Sequence, residues 1–168
     1  YNNSTYIQNV LLTCLIIFNL NLDISGKKNI FLNFKIPEGR GDMNKIKIFE
    51  KKFYLLDESY NANPHSMRLA INHFNNIDKK MTQKILVLGD MLELGKKTKF
   101  FHKNLAKYIN NSNIDKVFVI GKSILETYKF VRKNKKGKIL NAMSDIDRLI
   151  RNYINDNDYV MMKGSNLT

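Results

Sequence analysis

The sequence predicts an α/β fold with a mainly parallel sheet flanked by helices, and three observations carry that prediction. Short continuous apolar runs recur (Ile85-Leu86-Val87-Leu88, Val117-Phe118-Val119-Ile120, Tyr159-Val160-Met161-Met162), as strands buried on both faces require. Segments with apolar residues at helical spacing alternate with these runs, as in βαβ units. The runs also end near Gly, at Gly89, Gly121 and Gly164. Gly at the carboxyl end of a parallel strand permits a sharp exit and a close backbone approach to a ligand. The arrangement is Rossmann-like.

Ile7 to about Leu20 reads as one apolar helix. Its densest part, Leu11 to Phe18, is far shorter than the roughly 20 residues of a membrane span. No basic region precedes it, so it is not a signal peptide, and a buried helix is expected. Ser25 to Phe34 predicts a second short helical segment. Pro37-Glu38-Gly39-Arg40-Gly41 is the Pro/Gly-dense linker, which places a domain boundary between 1–38 and 39–168. Met43 to Phe49 alternates polar and apolar residues as an edge or half-buried strand does, Lys51-Lys52 marks a turn, and Phe53–Leu56 is the next strand.

Asn63 is a good N-cap and Pro64 suits a first helical turn, so a helix is expected over Pro64–Asn75. A strand at Ile85–Leu88, a helix at Thr98–Ile109, a strand at Val117–Ile120 and a helix at Ser123–Val131 follow. A strand at Lys138–Leu140, a helix at Asp145–Ile154 and a strand at Tyr159–Met162 complete the order. There is no internal repeat and no low-complexity segment.

At 168 residues, with 43% hydrophobic residues, the chain suits one domain and part of another, with one core of ordinary size. Cys14, the single cysteine, cannot form an internal disulfide and is expected to be a buried small hydrophobe. The formal charge of +13 raises a polyanion reading. Against it, Lys outnumbers Arg, Asn is as abundant as Lys, and the basic residues are spread along the chain, as AT-rich codon bias would produce. Solvated surface is the plainer account, although a basic face still attracts anionic ligands.

The chemistry concentrates at Asp57-Glu58-Ser59-Tyr60-Asn61-Ala62-Asn63-Pro64, a strand end followed by a helix start. Such crossovers are where α/β folds bind nucleotides and phosphates. In a parallel sheet, Asp57 shares one rim with Gly89, Gly121 and Gly164, and Asp90, Lys122, Lys163 and Ser165 would point into one crevice there. Gly121-Lys122-Ser123 imitates the end of a P-loop, but Lys116 stands where the opening Gly is needed. His102 falls on a helix as a hydrogen-bonding orienter. His65 and His73 lie eight residues apart with no second ligand at metal spacing. No Ser/His/Asp or Cys/His nucleophile pattern stands out.

Asp57–Pro64, with Gly39-Arg40-Gly41 before it and the run Gly89-Asp90-Met91-Leu92-Glu93-Leu94-Gly95 after it, resembles the C-terminal part of a Mur ligase. His102 and Lys163-Gly164-Ser165 follow in that family's order, and Asn9 stands where the family carries an Asn. Two departures are visible. Thr5 stands where a His usually lies four residues before the Asn, and Glu38 replaces the Pro that usually precedes the Gly-Arg pair.

The resemblance implies a bacterial, cytoplasmic, monomeric ligase that uses ATP and Mg²⁺. The family member most like it joins D-alanyl-D-alanine to UDP-N-acetylmuramoyl-tripeptide through an acyl phosphate, in peptidoglycan synthesis. Residues 1–38 would then end the central ATP-binding domain, and 39–168 would form the C-terminal domain. Asn9 would contact adenine, Arg40 and Asp57 the nucleotide, and Tyr60 and Asn61 would lie beside the base. Asp90, Lys122, Lys163 and Ser165 would meet the dipeptide or the precursor's peptide, with a surface ion pair as the lesser alternative for Arg40 and Lys163.

The resemblance places no catalytic residue and no metal ligand in this stretch. It expects the Gly-rich loop and the Mg²⁺ ligands upstream of Tyr1, both ends cut, and the 168 residues inactive alone. No nucleic acid and no membrane span are implied. Two other classes stay open: another Mur-type or folylpolyglutamate-type ligase, and a non-enzymatic basic Rossmann-like binding module.

Overall fold

The computed structural model describes residues 4–23, 39–78 and 82–165. The chain divides into two compact units, Tyr1–Ile36 and Pro37–Thr168. In the first, helix α1 spans Ser4–Asn19. Its apolar residues surround the helix, more than one face can bury. Leu11, Leu12, Leu15, Ile16 and Phe18 are each more than half exposed, against the buried helix that their apolarity predicts. Cys14 is half-buried. The expected helical segment Ser25 to Phe34 lies outside the described residues, as do Pro37 and Glu38.

The described residues of the second unit form a six-stranded sheet. Its strands are β1 (Asp42–Ile48), β2 (Lys51–Asp57), β3 (Lys84–Leu88), β4 (Lys116–Ile120), β5 (Lys136–Leu140) and β6 (Tyr159–Lys163). Their order is β1-β2-β6-β3-β4-β5. Among the described strands β1 alone is antiparallel, pairing Asp42 with Asp57 and Ile48 with Lys51. The other strands run parallel, so the mainly parallel α/β fold read from the sequence is the fold observed.

The β1–β2 turn is Phe49-Glu50, with φ of 50° and 66°, a left-handed pair suited to a two-residue hairpin. This corrects the turn expected at Lys51-Lys52, because both lysines are already in β2. Lys51 instead reaches across to helix α5 (Met143–Tyr153). Its ammonium donates to the carbonyls of Ile150 and Arg151 and of Ile154 just beyond, at 3.2, 2.5 and 2.6 Å. Those C-terminal carbonyls would otherwise lack partners.

Helices α2 (Pro64–Asn76), α3 (Thr98–Asn110) and α4 (Leu125–Phe130) also belong to this unit. Asn63 caps α2 with a reciprocal box. Its carboxamide oxygen accepts from the Ser66 amide at 2.8 Å, and the Ser66 hydroxyl accepts from the Asn63 amide at 3.1 Å. Met67, Ala70, Ile71 and Phe74 of α2 and Leu105, Ala106 and Ile109 of α3 join Leu86, Leu88 and Met161 in one core. Leu149 and Ile150 of α5 join Phe53, Ile85, Val87 and Val160 in the other. Each such side chain stabilises the fold by roughly 1.5–3 kcal/mol when fully buried.

The alternation of strand side chains thus assigns two faces, α2 and α3 covering one and α5 the other. Because β2, β6, β3 and β4 are parallel, their carboxyl ends form one rim, which brings Asp57, Gly89, Gly121 and Gly164 to the same edge.

Candidate functional site

At that rim, Gly89 and Gly164 face each other without side chains. A Cβ on Gly164 would lie 2.8 Å from Gly89 Cα, closer than real side chains come to backbone. Beside them opens a cleft of about 380 Å³. Val87, Ile120 and Met162 supply its apolar part, and Gly39, Ser59 and Tyr60 line it from the loops. Asp57, Lys163 and Ser165 complete the lining.

Asp57 ends β2 and starts a tight turn. Its Oδ1 accepts from the Ser59 amide at 2.9 Å and the Ser59 hydroxyl at 2.6 Å. The Gly39-Arg40-Gly41 linker is laced to the same loop. The Gly41 amide donates to Asp57 O at 2.7 Å, and the Tyr60 amide donates to Gly39 O at 3.1 Å. Arg40 is exposed, and its guanidinium carbon lies 4.0 Å from the centroid of the Tyr60 ring. Stacking of this kind fixes a guanidinium plane while leaving its edge N–H groups able to donate.

Lys163 is buried, and its ammonium turns under the loop after β2. It donates to Asn61 O at 3.0 Å and Glu58 O at 3.2 Å, with the Glu58 carboxylate 3.5 Å away. Burial pushes the Lys163 pKa down, and the neighbouring Glu58 carboxylate offsets part of that effect. Ser165 is shared between two loops. Its hydroxyl accepts from the Leu92 amide at 3.1 Å and can donate to Ala62 O at 3.2 Å, and its amide donates to Asp90 O at 2.9 Å.

Asp90 turns its carboxylate toward the exit of β4. It accepts from the Ile124 amide at 2.7 Å and the Lys122 amide at 3.1 Å. Gly121 makes room for it, since a Cβ there would sit 2.5 Å from Asp90 Oδ1, and its φ is +124°. His102, fully buried, steadies the same Gly89–Gly95 loop. Its Nε2 accepts from the Met91 amide at 3.1 Å, which assigns the proton to Nδ1, 2.8 Å from Thr98 O.

The Mur ligase, glutamate ligase domain matches residues 45–166 of this chain. The chain belongs to the Mur ligase family. The UDP-N-acetylmuramoyl-tripeptide–D-alanyl-D-alanine ligase of Buchnera aphidicola subsp. Baizongia pistaciae is 43% identical over 81 residues, covering 47% of this chain and 17% of that protein. The Escherichia coli ligase of the same name is 30% identical over 116 residues, covering 69% of this chain and 24% of its own length. A MurF ligase from Thermotoga maritima, solved in complex with ADP, superposes with a TM-score of 0.71. At 20% identity that likeness concerns the fold, and it covers 95% of this chain and 34% of that one. This Mur ligase chain therefore spans about a third or less of the relatives it matches.

Of the residues singled out by sequence in this chain, the structure brings Asp57, Tyr60, Lys163 and Ser165 to one cleft, with Arg40 stacked on Tyr60. Asn61 sits in the same loop, its carboxamide oxygen accepting from the Ala62 amide at 2.7 Å. Asp90 and Lys122 lie on the rim but outside the cleft lining. Asn9 lies in α1, in the other unit, where its carbonyl accepts from the Thr13 hydroxyl at 2.8 Å.

Sequence reasoning missed Ser59, which holds Asp57, and Glu58, which faces Lys163. An Asx turn was legible in the Asp-x-Ser spacing, whereas the Glu58 contact depends on strand pairing. Among the described residues, no group of three or more His, Cys, Asp or Glu gathers to hold a metal ion. No helix among them is long and apolar enough to cross a membrane.

Proposed function

We propose that this chain is part of an ATP-dependent ligase joining D-alanyl-D-alanine to UDP-N-acetylmuramoyl-tripeptide, in bacterial peptidoglycan precursor synthesis in the cytoplasm. The observation that carries the reading is the glycine-floored cleft at the carboxyl rim, with Asp57 on its wall and Arg40 stacked on Tyr60 beside it. Family membership and the names of the relatives support it. In this reading residues 1–38 end the central ATP-binding domain, 39–168 form the C-terminal domain, and the enzyme acts as a monomer.

Asp57 Oδ1 is engaged by Ser59, which leaves Oδ2 to accept from ribose hydroxyls. Arg40 donates its planar fork to phosphate or ribose oxygens, and charge-assisted bonds of this kind are worth roughly 1.5–3 kcal/mol. Tyr60 presents its ring and Asn61 its carboxamide beside the base. On the substrate side the rim carries Asp90, Lys122, Lys163 and Ser165, of which Lys122 has its side chain in solvent to meet a carboxylate. ATP would supply the phosphoryl group that activates the tripeptide's carboxylate, and Mg²⁺, when bound, would neutralise its phosphates. The Mg²⁺ ligands are assigned to the central domain. For this chain's residues the work is positioning, which dominates phosphoryl transfer.

The test uses the full-length protein with ATP, Mg²⁺, the UDP-tripeptide and a panel of amines. Phosphate release that depends on D-alanyl-D-alanine is the expected result. Dependence on a single amino acid, or on glutamate with a folate acceptor, would move the protein to a sister ligase.

A further inference from the structure

We infer that Asp90, Lys163 and Ser165 are positioning residues, which cross-brace the exits of β2, β3, β4 and β6 into one rim, and are not contacts to substrate. Each has a polar group already committed to another strand's exit loop. Lys163 lies at the end of β6 and ties down the loop after β2 through Glu58 O and Asn61 O, with its side chain only 2% exposed. Ser165, two residues on, links that loop to the loop after β3, through Ala62 O on one side and the Leu92 amide on the other. Asp90 then links the β3 exit to the β4 exit through the amides of Lys122 and Ile124. The Ser165 amide closes the chain of contacts on Asp90 O.

The strand alternation explains why Lys163 cannot serve the cleft as a free cation. Met161 and Lys163 share the face of β6 packed under α2, whereas Met162 takes the opposite side. An ammonium on the α2 side meets the backbone of the Glu58–Asn61 loop before it meets solvent. Moving it outward would strip its buried carbonyl partners, a cost a ligand carboxylate must first overcome.

The loop held by Lys163 and Ser165 carries Tyr60 and follows directly from Asp57. Its placement therefore governs the nucleotide side of the cleft, a consequence that rests on the nucleotide reading above. The same Ser165 hydroxyl holds Leu92, on the side assigned to the dipeptide. One brace thus sets both halves of the site.

The experiment compares Ser165→Ala, Ser165→Thr, Lys163→Met and Asp90→Asn in the full-length protein, with two readouts. Hydrogen exchange without ligand is followed in segments 58–62 and 91–94. Ser165→Ala should speed exchange in both segments, and Ser165→Thr should restore the parent pattern. Unchanged exchange in segment 58–62 would overturn the brace, whether or not the protein is a ligase.

In the ligase assay, Ser165→Ala and Lys163→Met should each raise the KM for ATP roughly two- to tenfold, the range of one or two lost hydrogen bonds. A rise in the dipeptide KM alone would make these residues substrate contacts and overturn the proposal. If Lys163→Met does not fold, Ser165→Ala decides, because it removes a single hydroxyl. A parent protein without ligase activity would sink the functional reading while leaving the exchange readout to judge the brace.

Discussion

Gly89 and Gly164 meet backbone to backbone, with the Gly89 amide donating to Lys163 O at 2.8 Å beside the contact. A methyl on Gly164 would lie 2.8 Å from Gly89 Cα, and neither main chain can yield without disturbing the β3–β6 pairing. Gly164→Ala should destabilise the chain by about 1–3 kcal/mol, the usual range for overpacking. Thermal unfolding of parent and variant checks it, and an unchanged Tm would mean that the two exits are not in contact.

Lys163 gives the stability a particular pH dependence. Its folded pKa lies below its ordinary 10.5, so between the two values the unfolded chain binds more protons and stability rises with pH. The contribution is fully present above 10.5 and is lost as pH falls through the lowered folded value. Tyr128 acts with the opposite sign. Burial raises its pKa above 10.0, so its contribution is complete below 10.0 and is lost as pH rises through the folded value. Lys163→Met should flatten the alkaline rise, and Tyr128→Phe the subsequent fall, in denaturant titrations from pH 7 to 11. An identical slope in parent and Lys163→Met would show that the ammonium is not buried.

The buried strands and the α2 cap were legible because each has a local cause. An apolar run of strand length needs two covered faces, and Asn63-Pro64 has few other uses than starting a helix. The Phe49-Glu50 turn was not legible, since neither residue favours a left-handed backbone and only the pairing of Ile48 with Lys51 imposes it. Nor were the buried lysines. Lys84 places its ammonium on Asn75 O and Ile77 O at the end of α2, and Lys135 places its own on Ser112 O and Ile114 O. Patterning treats Lys as solvated, whereas a four-carbon stem lets it reach orphan carbonyls. At the candidate site, Asp57, Tyr60 and the glycines were readable from the strand ends. The inward turn of Lys163 was encoded in its parity with Met161, a signal that becomes decisive only once α2 is known to cover that face.

On the nucleotide reading proposed for the cleft, Arg40 and Tyr60 should act as a pair. Arg40→Ala in the full-length enzyme removes a charge-assisted donor worth roughly 1.5–3 kcal/mol, so the KM for ATP should rise about tenfold or more. Tyr60→Phe keeps the ring under the guanidinium and should change little, whereas Tyr60→Ala should approach Arg40→Ala. Steady-state kinetics with ATP and dipeptide varied separately distinguish the cases. An unchanged ATP constant with a raised dipeptide constant would move Arg40 out of the nucleotide site.

His102 should matter to stability and not to chemistry. It is fully buried between α3 and the Gly89–Gly95 loop, and both ring nitrogens are committed, Nε2 to the Met91 amide and Nδ1 to Thr98 O. Its own carbonyl accepts from the Thr127 hydroxyl at 2.6 Å, which joins α3 to α4. Replacing it with Leu fills most of the volume but leaves the Met91 amide and the Thr98 carbonyl without their ring partner. An unsatisfied buried group costs about 1–3 kcal/mol, so His102→Leu should lower the unfolding free energy by a few kcal/mol. Gln carries both a donor and an acceptor and should recover part of the loss. In the full-length enzyme, assayed well below the melting temperature, His102→Gln should retain the parent's ATP and dipeptide constants. A large fall in kcat for His102→Gln, with its Tm close to that of the parent, would assign the imidazole a part in the reaction that its burial argues against.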